Sequence, residues 1–247
     1  MATRAHAQSA PAQLVFIHGP GAGGCSAAYE YQLRHFAGSV APDLPGHLHG
    51  APCPDVARYT DWVRGWLCAQ GIKDNLVLVG YTLGAAIALQ YALDYPDEVR
   101  GIVISTVAAE PKVRAPGTYE MRVRAAADAQ VYEDEWIAFQ RKVMHLVDPE
   151  LRERLVEKHR QVGPMSQHHD FSVIDAFEVR DRLAVLKPKL LLLRGLDDPG
   201  NPPKYEQRIH AAVAGSHYIE LDDAGHFPML EAPEKVNALI EEFIASV

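Results

Sequence analysis

The segment Leu76-Val77-Leu78-Val79-Gly80-Tyr81-Thr82-Leu83-Gly84-Ala85-Ala86 runs from four consecutive aliphatic residues through a glycine-bounded turn into small, helix-forming residues. Continuous rather than alternating apolarity predicts a strand covered on both faces, and the residues after the turn predict a helix from Leu83 to Tyr95, stopped by Pro96. Strand, sharp turn and helix are the setting of a G-x-S-x-G elbow, whose glycines let the chain double back and hold one hydroxyl above the sheet edge. Here that hydroxyl belongs to Thr82. Gly and Ala also serve tight helix-to-strand packing, so the elbow reading needs support elsewhere in the chain.

Moving outward, similar Val/Ile/Leu runs recur at Leu14 to Ile17, Ile102 to Ile104 and Leu190 to Leu193, with weaker ones at Ser39 to Ala41 and Tyr218 to Leu221. Between them lies helical spacing. Trp62, Val63, Trp66 and Leu67 mark one helix, with Thr60 as candidate cap and Gly71 as stop, and another runs from Pro233 to Ile244. Alternating strands and helices predict an α/β fold with a mainly parallel sheet of about six strands flanked by helices. Residues 112–185 break the alternation, with helical composition and no convincing strand. The expected organisation is a core of residues 1–111 and 186–247 with a helical cap inserted at 112–185.

Composition excludes whole classes of function. The 247 residues are 48% hydrophobic and 23% charged, which rules out disorder, collagen and a disulfide scaffold. A formal charge of -8, with no visible basic patch, disfavours nucleic acid and anionic membranes as partners. No aliphatic stretch approaches the ~20 residues of a membrane span, and Met1 to Pro11 lacks the apolar run of a signal peptide. Cys25, Cys53 and Cys68 cannot all pair within the chain and lack metal spacing, so reduced thiols in a cytoplasm are expected.

Three further segments fall where the elbow reading requires them. His18-Gly19-Pro20-Gly21-Ala22-Gly23-Gly24 follows the first strand and could set backbone N–H groups around an oxyanion; a phosphate loop competes, but no G-K-[ST] follows. Gly195-Leu196-Asp197-Asp198-Pro199 places a carboxylate after a strand, and Asp222-Asp223-Ala224-Gly225-His226-Phe227-Pro228 supplies an imidazole after the last one. The order nucleophile, acid, base suits an open α/β sheet, whose sites gather at strand ends.

With these segments, and with Ala41-Pro42-Asp43-Leu44-Pro45-Gly46-His47, Tyr95-Pro96-Asp97-Glu98-Val99-Arg100-Gly101 and Glu231-Ala232-Pro233-Glu234, the chain resembles the α/β-hydrolase fold superfamily over nearly its whole length. The resemblance is to its small capped esterases, thioesterases, carbon-carbon hydrolases and lactonases. It implies Thr82 as nucleophile, His226 as general base and Asp198 as the acid that orients it, with a covalent acyl-enzyme. The family spacing from Gly195 to the acid and on to Pro202 selects Asp198 over Asp197, which reads as a solvated or loop-capping carboxylate; Glu110 is the fallback. The implied oxyanion hole lies at Leu83, Pro20 and Gly21, and the implied substrate contacts are Tyr81, Trp136, Met144 and Phe227. The apolar stripe of the insertion also reads as the cap's own core. His18 is expected to hold its loop through a ring hydrogen bond, and His47 and His49 sit in a loop whose family counterpart often approaches the site. An antiparallel hairpin ahead of Leu14, present in larger relatives, is expected to be missing.

Two departures from the family pattern stand out. A serine normally occupies the position of Thr82, and a β-branched residue tolerates the elbow's strained backbone poorly. Pro20 stands where relatives supply an oxyanion N–H, and proline has none. The leading expectation is a cofactor-independent hydrolase of a small ester, thioester, lactone or activated carbon-carbon bond, acting on a small-molecule substrate as a monomer or homodimer. The alternatives are an engineered Ser-to-Thr variant or a non-hydrolytic member: lyase-like, a cofactor-free oxygenase using His226 as base, or a ligand-binding protein. No cofactor is expected, and no metal either, since His168, His169 and Asp170 lack a partner at ligand spacing.

Overall fold

The computed structural model describes residues 12–114 and 116–247. The expectations about a leader in residues 1–11 and about a hairpin ahead of Leu14 lie outside the described residues. Five strands, β1 (Gln13–Ile17), β2 (Leu76–Tyr81), β3 (Val99–Ser105), β4 (Lys189–Gly195) and β5 (His217–Leu221), form one sheet in that spatial order. Every pairing among the described residues is parallel, as the expectation of a mainly parallel sheet has it. The sixth expected strand, Ser39 to Ala41, is reduced to a single parallel bridge between Val40 and Val15. Pro42 follows at once and has no N–H to extend a ladder.

Helices cover both faces: α1 (Glu30–His35), α2 (Val56–Ala69) and α3 (Leu83–Asp94) before β3 and after β1, then α4 (Thr118–Ala127), α5 (Ala129–Val131), α6 (Ala138–Val143), α7 (Pro149–Val162) and α8 (Pro164–Asp175) before β4. A π-helical turn, Tyr132–Ile137, joins α5 to α6. The core closes with α9 (Lys204–Ala212), α10 (Pro228–Glu231) and α11 (Pro233–Ser246). Among the described residues no strand lies between Ser105 and Lys189, and no helix is long and apolar enough to cross a membrane.

The two faces of the sheet separate as a period of two requires. Val15, Ile17, Leu76, Leu78, Ile102 and Ile104 pack with α2 and α3, whereas Leu14, Phe16, Val77, Val79, Val103 and Leu191 pack with Tyr29, α11 and the cap residues Trp136 and Ile137. The cap of α2 is Asp55, not Thr60: Asp55 Oδ1 accepts from Arg58 N at 2.8 Å, and Thr60 lies a turn inside, its hydroxyl bonded to Val56 O. Gly71 ends that helix at φ +77°, and Ile72 N returns to Leu67 O at 3.0 Å.

Cap and core are joined through a wholly buried Asp170 on α8. It accepts from the Tyr59 hydroxyl at 2.7 Å, and His47 Nε2 lies 2.9 Å away, near enough for an ion pair but off line for a hydrogen bond. The residue that resembled part of a metal trio is thus a tie between α8, α2 and the loop before α2. Asp170→Ala strands both partners in the interior, and a loss of roughly 3 kcal/mol is expected. Thermal unfolding should show a Tm lower by about 6–12 °C; an unchanged Tm would remove the tie from this account.

Candidate active site

β2 ends at Tyr81 and α3 begins at Leu83, so Thr82 alone makes the turn, at φ 48° and ψ -111°. Such a conformation in a β-branched residue costs about 1–3 kcal/mol and persists only where the surroundings enforce it. The enforcing contacts are close. A Cβ on Gly80 would lie 2.3 Å from the Gly84 carbonyl oxygen, and one on Gly84 would lie 1.8 Å from the Ile17 carbonyl oxygen, so both motif glycines are required. Thr82 N–H donates to Ser105 O at 3.1 Å, and Thr82 O receives Ala86 N at 3.0 Å. The side chain is buried, its Oγ1 presses against Gly19, and that oxygen has no hydrogen-bond partner among the described residues, His226 included.

The acid and the imidazole come together as the sequence order suggested. Asp198 Oδ1 accepts from His226 Nδ1 at 2.7 Å, and also from Gly200 N at 2.7 Å and Asn201 N at 3.2 Å. Burial alone would raise this carboxyl; the charge and hydrogen bond of His226, with the Gly200 N–H, outweigh burial and hold it below the ordinary carboxylate range. An Nδ1–H committed to a carboxylate leaves Nε2 as the free lone pair, the tautomer a general base requires.

Other groups fix the imidazole's backbone. Glu231 Oε2 accepts from Gly225 N at 2.6 Å and Phe227 N at 3.1 Å, one on each side of His226. Thr106 donates its hydroxyl to His226 O at 3.4 Å and its N–H to Glu206 Oε1 at 2.7 Å, and Glu206 is paired in the interior with Arg194. Asp197 is exposed, and Glu110 is engaged by Arg208 and Arg180. His18 holds its loop in the expected way: its Nε2 accepts from Leu44 N at 2.9 Å and its Nδ1 faces Gly19 O at 3.0 Å. Burial, and then the neighbouring His47, push its pKa well down, so it is neutral. Burial likewise raises the Cys25 thiol, leaving it a poor nucleophile.

Thr82 and His226 face one cavity of about 230 Å³, shared with Pro20, Trp136 and Phe227. Trp136 is held rigidly: its indole N–H reaches Gln167 Oε1 at 2.7 Å and His159 Nε2 at 3.1 Å. Two expected contacts do not line the cavity. Tyr81 is buried beneath the floor, edge-on to Phe227 at 5.5 Å, and Met144 is wholly buried in the cap's own core. The cavity is reached by the helix face carrying Trp136, Phe139, Gln140 and Val143, and Met144 points off that face. Pro20, which has no N–H to donate, lines the cavity, while Gly21 and Leu83 do not contribute to its wall. The cap side also brings in Lys112, Arg114 and Arg122, which sequence reading missed. Their spacing carries no signal, because what gathers the two arginines is Asp175, far along the chain on α8.

This arrangement can be compared with known proteins. A family model described as the alpha/beta hydrolase family matches residues 14–239. The chain belongs to the alpha/beta hydrolase family. Among the relatives of this hydrolase-family chain is a pimeloyl-[acyl-carrier protein] methyl ester esterase of Vibrio campbellii, 26% identical, with 99% of this chain and 100% of the relative covered. In structure it resembles an enol-lactonase from Burkholderia xenovorans LB400 (TM-score 0.81, 18% identity, 96% of this chain and 92% of the other covered). A thermophilic esterase from Thermogutta terrifontis is also similar (TM-score 0.78, 22% identity, 95% and 90% covered).

Proposed function

We propose that this protein is a cofactor-free hydrolase of small esters, with Thr82 as nucleophile, His226 as general base and Asp198 as its orienting acid. The observation that carries the reading is the Asp198–His226 pair at 2.7 Å, facing the same cavity as a hydroxyl held on a strained strand-to-helix turn. In the reaction, Thr82 Oγ1 attacks the ester carbonyl carbon while His226 Nε2 takes its proton. The tetrahedral intermediate then expels the alcohol, which leaves with that proton. Water repeats the sequence on the acyl-enzyme, releasing the acid and restoring Thr82. Attack requires Oγ1, which has no hydrogen-bond partner among the described residues, to come within hydrogen-bond reach of Nε2; nucleophile-to-base hydrogen bonds are often loose without substrate and tighten with it.

The Leu83 N–H is the first of α3, without an intrahelical acceptor and at the positive end of the helix; although Leu83 does not line the cavity, its place directly after Thr82 makes this N–H the main oxyanion donor in this reading. Pro20 gives none, leaving Gly21 as the second candidate, and a missing donor typically costs about 10²- to 10³-fold in rate. The names of the esterase and enol-lactonase relatives favour ester and lactone substrates over carbon-carbon bonds. A panel of p-nitrophenyl esters, an acyl-thioester and a lactone tests this. Saturable turnover of an ester is expected, unaffected by EDTA and lost in His226→Ala; no turnover above the His226→Ala background on any substrate contradicts it.

The unpartnered Thr82 hydroxyl and Pro20 in the cavity wall favour a second reading, base chemistry by His226 without a covalent intermediate. Under it the Thr82 hydroxyl is dispensable.

A further inference from the structure

We propose that the substrate carries, besides its scissile ester, a carboxylate or similar oxyanion that seats against Arg122, Arg114 and Lys112 on the cap side of the cavity. This rests on the reading of the cavity as a hydrolytic site. Although the chain carries a net charge of -8, the ionisable groups lining the cavity are those three basic side chains, His226 and Tyr205, with no carboxylate among the described residues.

Arg122 is the strongest element. It is only 3% exposed, and one of its nitrogens, Nη2, reaches Asp175 Oδ2 at 3.1 Å, while Nε and Nη1 have no hydrogen-bond partner among the described residues. Buried polar groups are nearly always paired, and an unpaired charged one is the most costly exception. Asp175 is shared, since its Oδ1 also accepts from Arg114 Nε at 2.7 Å. One carboxylate therefore serves two guanidinium groups. Elsewhere in the cap, Arg124, Arg141 and Arg160 each hold a glutamate through at least two hydrogen bonds.

The pair is also held in position for planar recognition. The Phe171 ring lies 5.3 Å from both guanidinium carbons, and Tyr119 lies 5.4 Å from that of Arg122. Lys112 Nζ completes the array with only neutral acceptors, Asn201 Oδ1 at 2.7 Å and Thr106 O at 3.3 Å. Burial, and then the charge of Arg114, push Lys112 down to about 7, and an anion in the cavity would reverse the second effect. The cavity wall also carries the apolar side chains Trp136, Phe139, Val143 and Ile174, suited to methylene groups. The substrate class is thus a short acyl ester with an oxyanion at its far end, such as the half-ester of a dicarboxylic acid.

The test compares monomethyl adipate, methyl hexanoate and a methyl hexanoate with a terminal phosphate, and separately measures adipate binding by tryptophan fluorescence. The wild type is expected to favour an oxyanion-bearing ester over methyl hexanoate by about 10²-fold in kcat/KM, and the better of the two charged esters identifies the group. Arg122→Met lowers that ratio at least tenfold, Arg122→Lys restores part of it, and Lys112→Met, which leaves the Asp175 pairing intact, lowers it independently. Equal kcat/KM for charged and neutral esters overturns the proposal while leaving the hydrolase reading intact. If no ester is cleaved but adipate binds the wild type at least tenfold more tightly than Arg122→Met, the oxyanion seat stands and the hydrolase reading falls. Adipate binding unaffected by both Arg122→Met and Lys112→Met overturns the proposal.

Discussion

Asp198→Asn is expected to lower kcat/KM for a small ester by about 10⁴-fold while leaving the fold in place. The substituted amide keeps an oxygen for the Gly200 and Asn201 N–H groups, so the turn survives. What changes is the charge of the group facing His226 Nδ1, because the same Oδ1 also accepts from that nitrogen. An amide oxygen in that place still accepts from Nδ1, but without charge it holds the ring, its Nδ1–H tautomer and so the free Nε2 lone pair far less firmly. A further contribution is lost: the carboxylate that would stabilise the imidazolium is gone. Because the Asp198 pKa is depressed by its partners, its stabilisation is fully present above the ordinary carboxylate value and fades only as pH falls through the lower folded value. Hydrolysis assays at neutral pH with a Tm control measure the effect, and a loss below tenfold would place Asp198 outside the machinery.

The second large effect concerns Thr82. Thr82→Ala is expected to lower kcat/KM at least about 10³-fold, because the residue contributes the attacking oxygen and the neighbouring Thr106 hydroxyl is turned to the His226 carbonyl oxygen instead. Thr82→Ser should act in the opposite direction. Serine lacks the γ-methyl, so the hydroxyl is freer to leave the Gly19 side of the turn, and easing the cost of a β-branched residue at φ 48° by on the order of 1 kcal/mol corresponds to roughly a tenfold gain. Under the base-only reading neither substitution matters greatly. Retained ester turnover in Thr82→Ala would therefore favour that reading, and full loss with a gain in Thr82→Ser would exclude it.

The parts of the fold legible in sequence were those written in short-range pattern. Leu76 to Val79 and Leu190 to Leu193 are buried on both faces, and a central parallel strand has no other way to look. Ser39 to Ala41, the weaker run, contributes a single bridge, because Pro42 has no N–H to carry the ladder further. The meeting of Asp198 with His226 was legible through motif order alone, since each residue follows a strand that ends at the same sheet edge. The cap was harder. Trp136 and Met144 look alike in an apolar stripe, yet one lines the cavity and the other fills the cap core, a difference set by helix rotation against the sheet. Lys112, Arg114 and Arg122 were invisible because their convergence depends on Asp175 and on the docking of α8.

The central claim is that the Thr82 hydroxyl forms a covalent bond during turnover. Incubation with an activated alkyl phosphonate ester, followed by intact-protein and peptide mass measurement, tests it most directly. The expected result is a single adduct on the peptide containing Thr82, absent from Thr82→Ala and formed much more slowly in His226→Ala. An unmodified protein that nonetheless hydrolyses esters, or an adduct located elsewhere and equally formed in Thr82→Ala, would contradict the account.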